Sequence, residues 1–113
     1  MKLYVSGPIK GQDNPREVFA LAVETLRRRG YDTLNPFDIE PHCTCPPGSD
    51  LTDSSPHYNC FMRGDLRDMV TCDGVALLSG WQHSKGALLE QFVALSVGIP
   101  VMSVGDWCKA APR

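Results

Sequence analysis

Residues 74–104 read GVALLSGWQHSKGALLEQFVALSVGIPVMSV. The stretch decides the fold. GVALLS is a short apolar run of strand length, with Val75 and a turn signal at Ser79-Gly80. Ser84 then opens a helix that runs to Val97 and is stopped by Gly98. IPVMSV is a second short apolar run. Strand, helix and strand in about thirty residues is a crossover unit, and such units build parallel sheets with right-handed connections.

The same grammar continues upstream. KLYVS, ending at Gly7-Pro8, reads as a buried strand. NPREVFALAVETLRRRG reads as a helix with Asn14 as cap, Pro15 in the first turn and Gly30 as stop. Its stripe is Val18, Phe19, Ala22, Val23 and Leu26, and Arg27, Arg28 and Arg29 suit the negative end of its dipole. YDTLNP is a short strand stopped by Pro36. Ser55-Pro56 opens another helix, with Met62, Leu66, Met69 and Val70 at helical spacing. Residues 36–56 hold five prolines and little periodicity, a loop long enough to be functional. Residues 104–113 read as a tail. The expectation is one domain over 1–113 with an α/β fold of three layers, flavodoxin- or Rossmann-like, and a parallel sheet of four or five strands.

The totals exclude several classes. The 113 residues are 42% hydrophobic and 21% charged, with a net charge of −2, so no basic face is expected for a nucleic-acid backbone. No apolar run reaches the length of a membrane helix, and the first residues read directly as a strand, so no signal peptide is expected. With five cysteines, an odd number, reduced thiols and a cytoplasmic location are expected.

In a parallel sheet, ligands sit at the carboxyl ends of the strands. Here those ends are Ser6-Gly7-Pro8, Asn35-Pro36 and Ser79-Gly80-Trp81. The helix from Ser84 carries a single acid, Glu90. On a helical wheel Leu88, Leu89, Phe92, Val93 and Leu95 form the apparent core face. Glu90 falls just beyond its edge, in a row of small residues with Gly86, Ala87 and Ala94. The helix start, with the Ser84 hydroxyl and Gly86, suits an anion, and six residues separate Ser84 from Glu90, about 9 Å. An anionic group at one end and a reactive carbon at the other describes a sugar phosphate. A plain N-cap at Ser84 and an ion pair at Glu90 explain the same spacing.

Three segments taken together, KLYVSGPI, FMRGDLRDMVTCD (residues 61–73) and LLSGWQHSKGALLEQFVALSVGIPV, resemble the nucleoside 2-deoxyribosyltransferase superfamily, particularly its small members with an S-G-P start and a G-W-x-x-S-x-G-A-x-x-E segment. The resemblance implies cleavage or exchange of the bond between a nucleobase and its sugar. It implies that Glu90 is the nucleophile, that Tyr4 holds it, and that Asp65, eight residues before Asp73, faces the base. Serine six residues before the glutamate is similar to the branch hydrolysing nucleoside 5′-monophosphates, where Ser84 would meet the phosphate. Ser6, Gly7, Lys10, Arg63, Trp81 and Gly86 complete the candidate substrate- and phosphate-binding set. The expected activity is therefore an N-glycosidase on a nucleoside 5′-monophosphate. The alternatives are base exchange by a deoxyribosyltransferase and a non-catalytic nucleotide sensor. A homodimer or higher even oligomer is expected, pairing through the Gly/Ala row.

No cofactor is expected. His42, Cys43, Cys45, His57 and Cys60 have a loose zinc-like spacing; a metal-free Pro/Cys loop is the expected state. Asp73 is expected to be structural, Cys72 a small buried hydrophobe, and Trp81 and His83 either stack on a base or pack their loop.

Overall fold

The computed structural model describes residues 1–38 and 56–111, with side chains described except at 56–59. Among the described residues four strands form one parallel sheet: β1 (Lys2–Ser6), β2 (Asp32–Leu34), β3 (Gly74–Leu77) and β4 (Val101–Ser103), in the order β2-β1-β3-β4. Four helices cover it: α1 (Pro15–Arg28), α2 (Pro56–Met69), α3 (Lys85–Ser96) and α4 (Val104–Ala110). The α/β class, the parallel sheet and the three-layer arrangement are as the sequence implies.

Period-two alternation along β1 divides the core into two. Leu3 and Val5 face a cluster with Phe19, Ala22 and Leu26 of α1, Tyr31, Ala76, Leu78 and Trp107 of α4. Tyr4 faces the other side, with Met69, Cys72, Val75, Leu77 and Ala94 of α3. Ser6 follows Tyr4 by two residues and shares its face. In register, Tyr4 lies beside Val75 and Ser6 beside Leu77. The chain leaves β1 toward β2 but later returns to β3 on β1's opposite side. The gap between β1 and β3 is thus where the winding reverses, the place where such sheets bind ligands.

Asp73 is structural. Its carboxylate accepts from the Lys2 backbone N–H at 2.7 Å, and its own N–H donates to the Lys2 carbonyl at 2.8 Å. Asn14 occupies the N-cap of α1, but its side chain makes no capping bond.

Two expectations are corrected. Residues 104–110 are a helix rather than a tail. Trp107 is buried, and its indole N–H donates to the Val75 carbonyl at 2.8 Å, while its own carbonyl accepts from the Tyr31 hydroxyl at 2.8 Å. A Cβ at Gly74 would lie 2.6 Å from the Trp107 ring, so β3 lacks a side chain where α4 docks.

The second correction concerns α3. Its buried residues are Ala87, Glu90 and Ala94, whereas Leu88, Leu89, Phe92 and Leu95 are exposed. The row of small residues, not the large apolar face, meets the sheet. Large side chains already project from β1 and β3 at Tyr4, Val75 and Leu77, so a close approach needs small ones opposite. The Gly/Ala row is consequently unable to serve as a pairing surface between copies.

Candidate active site

Tyr4 and Ser6 project from β1 toward the inward face of α3, and both reach Glu90. The Tyr4 hydroxyl donates to Glu90 Oε2, and the Ser6 hydroxyl donates to Oε1 at 2.8 Å. Each carboxylate oxygen has its own donor. All three residues are buried, Tyr4 and Ser6 completely and Glu90 to 5% exposure. Bringing a carboxylate here is costly unless donors satisfy it, and the two hydroxyls do so.

Burial first, and then the charge of Asp65, raise the Glu90 pKa to about 7 against the lowering effect of the Tyr4 and Ser6 hydrogen bonds. Asp65, on α2, is also pushed up to about 7, first by burial and then by Asp68. Tyr4 lies well above its ordinary value because of burial and the charges of Glu90 and Asp65. Asp65 is therefore within electrostatic reach of both other groups. Donors favour the charged form, and Glu90 has two. Among the described residues no hydrogen bond to Asp65 is found. That difference in donors distinguishes the two carboxyls, whose pKa values both lie near 7.

Sequence reasoning placed Ser6 and Gly7 in the substrate-binding set, and the structure places both inside the protein. Ser6 is sealed in the core and spends its hydroxyl on Glu90. Gly7 is buried, and a Cβ there would lie 2.6 Å from the Leu78 Cβ, so its role is close packing. The signal for Ser6 was legible in principle, since a residue two positions after Tyr4 on a strand must face the same way.

Ser84 caps α3, its Oγ accepting from the Ala87 N–H at 3.2 Å. The hydroxyl proton is not consumed by that bond. Gly86 is half-buried in the first turn; Lys10 and Arg63 are exposed. Trp81 and His83 bound a short 3-10 turn, in which Trp81 is half-buried against the Tyr4–Ala94 cluster and His83 is exposed. A cleft of about 480 Å³ opens at the carboxyl ends of β3 and β4, lined by Leu78, Ser79, Trp81, Gln82, Ser103 and Val104 among others. None of Tyr4, Asp65 or Glu90 lines it. Trp81 therefore serves loop packing and this cleft.

The candidate zinc residues His42, Cys43 and Cys45, and the side chain of His57, lie outside the described residues. Cys60 is half-buried on α2, and no cluster able to hold a metal occurs among the described residues. Cys72 is buried, as its apolar reading implies, and burial raises its thiol pKa. No described helix is long and apolar enough to cross a membrane.

No curated protein matches the chain. Its fold is similar to the crystal structure of a conserved protein from Enterococcus faecalis V583, with a TM-score of 0.62 and 25% identity. The match covers 90% of this chain and 61% of that one, so the chain spans about three fifths of that protein's length. The model of the family described as a domain of unknown function, DUF4406, matches residues 1–103, and the chain belongs to that family.

Proposed function

We propose that the protein is an N-glycosidase that hydrolyses the base–sugar bond of a nucleoside 5′-monophosphate. The observation that carries this reading is the Glu90 carboxylate, held on separate oxygens by Tyr4 and Ser6 beside a second carboxyl with a raised pKa. A fixed carboxylate next to a protonated acid is the pair that glycosidic cleavage requires. The resemblance to the nucleoside 2-deoxyribosyltransferase superfamily supplies the substrate class.

In the first step a Glu90 oxygen attacks the anomeric carbon of the sugar. The bond to the base nitrogen breaks, its electron pair stays on the base, and the Asp65 proton neutralises it. The sugar is left as an ester on Glu90. In the second step Asp65, now ionised, takes a proton from water, whose oxygen displaces Glu90 from the sugar. Ser84 donates its hydroxyl proton to the 5′-phosphate at the positive end of α3, with the first-turn backbone of α3 around Gly86 beside it.

Incubation with a panel of nucleoside 5′-monophosphates, followed by chromatography for free base, tests the reading. Base release that disappears in Glu90→Gln supports it. Release seen only when a second base is added would instead make the protein a transferase, and tight nucleotide binding without release would make it a sensor.

A further inference from the structure

We propose that the cleft at the carboxyl ends of β3 and β4 is a second ligand site, which takes a neutral planar nitrogen heterocycle, either a free nucleobase or its nucleoside. The winding of the chain creates it. α3 follows β3 and buries Ala94 on the Tyr4 face of the sheet. α4 follows β4 and buries Trp107 on the opposite face, with Leu3 and Val5. β3 and β4 are paired as far as Leu77 and Ser103. Beyond that pair the two connections part toward opposite faces and leave a crevice between them. The same divergence of α1 and α3 makes the gap between β1 and β3 a binding place, and here it recurs one strand along. The resulting cleft of about 480 Å³ falls within the roughly 300–1,000 Å³ of small-molecule sites.

The lining points to the ligand class. None of its side chains is ionisable, so a phosphate or carboxylate would meet no opposite charge there. Trp81 supplies a flat aromatic wall, half-buried and fixed by packing against the Tyr4–Ala94 cluster. A ring held in this way is a stacking platform that needs little further ordering when a base lies on it. Gly80, at φ 86°, makes the left-handed turn that brings Trp81 to the cleft. The exposed Gln82 carries an amide that both donates and accepts, as the edge of a heterocycle requires. Ser103 Oγ accepts from the Asp106 N–H at 3.1 Å, a bond that leaves its hydroxyl proton to donate. Leu78 and Val104 add apolar surface. An aromatic wall with neutral donors and acceptors complements a base and disfavours an ion. Because none of Tyr4, Asp65 or Glu90 lines the cleft, the inference does not depend on the reaction proposed for Glu90.

The test follows the indole N–H signals of the two tryptophans by NMR while free adenine, free cytosine, adenosine or cytidine is added to the full chain. Glu90→Gln is used for the nucleosides, so that binding is read without turnover. The Trp81 signal should move saturably, while that of Trp107, whose N–H is bonded to the Val75 carbonyl, should stay in place. Whichever of base and nucleoside binds more tightly identifies the source of the heterocycle. Gly105→Phe should fill the cleft and weaken binding at least about tenfold. A Cβ at Gly105 meets nothing nearer than 3.9 Å, so this variant should fold and keep the Trp107 signal. Gln82→Ala should weaken binding roughly threefold to tenfold through loss of the bond to the ring edge. A Trp81 signal that none of the four compounds moves at millimolar concentration overturns the proposal. So does an affinity unchanged in both variants, which would put the ligand on the Tyr4 side of the Trp81 ring. If Gly105→Phe loses the Trp107 signal, Gln82→Ala decides, and an unchanged affinity in it overturns the proposal. Absence of base release from monophosphates would overturn the glycosidase reading and leave this result standing.

Discussion

Tyr4 and Ser6 stand two positions apart on β1 and grip different oxygens of one carboxylate. Neither oxygen of Glu90 is left to find a basic partner. The carboxylate is held by neutral hydroxyls, which satisfy it without cancelling its charge. That arrangement suits a group kept for chemistry more than one kept for stability.

Tyr4→Phe and Ser6→Ala should therefore act through Glu90. Each removes a hydrogen bond to a charged group, worth about 1.5–3 kcal/mol, or roughly tenfold to hundredfold in kcat/KM. Loss of either donor disfavours the ionised form, so the Glu90 pKa should rise in both variants. The acidic limb of the pH–rate profile should move to higher pH with it. A fall in rate with an unmoved limb would assign the hydroxyls to the substrate instead. The two losses should not add in the double variant, because both act on one carboxylate.

Glu90→Gln keeps the shape of the side chain and removes the proposed nucleophile. Base release should fall by at least ~10³-fold, while nucleotide binding followed by calorimetry should persist. Asp65→Asn removes the acid and should cost about 10²–10⁴-fold. Bases that leave easily without protonation should suffer least, a pattern that a series of modified bases would expose.

Ser84→Ala has two consequences that separate cleanly. The lost cap should lower stability by about 1 kcal/mol. The lost phosphate donor should reduce kcat/KM on monophosphates by roughly tenfold to hundredfold while leaving unphosphorylated nucleosides unchanged. Equal losses on both substrate types would leave Ser84 as a cap alone.

Stability should fall as pH rises. Glu90 and Asp65 both titrate near 7 in the folded chain, above their ordinary values of 4.5 and 3.8. Each keeps its proton longer when folded. The resulting stabilisation is complete below the unfolded values and is lost as pH rises through about 7. Denaturant melts at pH 5 and pH 8 should differ by a few kcal/mol in favour of the lower pH, and Glu90→Gln should flatten that slope. A chain more stable at pH 8 would contradict the burial of these carboxyls.

Trp107→Ala should destabilise the protein by about 3–5 kcal/mol, the usual cost of emptying an aromatic site. Both the ring packing at Gly74 and the bond to Val75 are lost. Thermal melts would read this directly, and a loss below 1 kcal/mol would make α4 dispensable.

Sequence periodicity carried most of the architecture, because each strand is bounded by Gly, Pro or a cap and each long helix has a clear start or stop. It misread α3. A wheel weights a face by the size of its apolar residues, so Leu88, Phe92 and Leu95 outscored Ala87 and Ala94. Whether a helix needs large or small residues toward a sheet depends on what the sheet already projects, and only the three-dimensional structure supplies that. The tail failed for a related reason. Residues 104–110 are too short to show a period, and their partners, Tyr31 and Val75, are distant in sequence. At the site, Glu90 and Tyr4 were legible through resemblance. The second donor, Ser6, required strand alternation to be applied to a residue already assigned elsewhere.

The Tyr4–Glu90 bond spans 86 positions. During synthesis at about 5–20 residues per second, Tyr4 waits several seconds for its carboxylate to be made. No fragment ending before α3 contains Glu90, and none lacking β1 contains its two hydroxyl donors. The Tyr4–Ser6–Glu90 cluster therefore exists only once β1 and α3 have both been made and brought together.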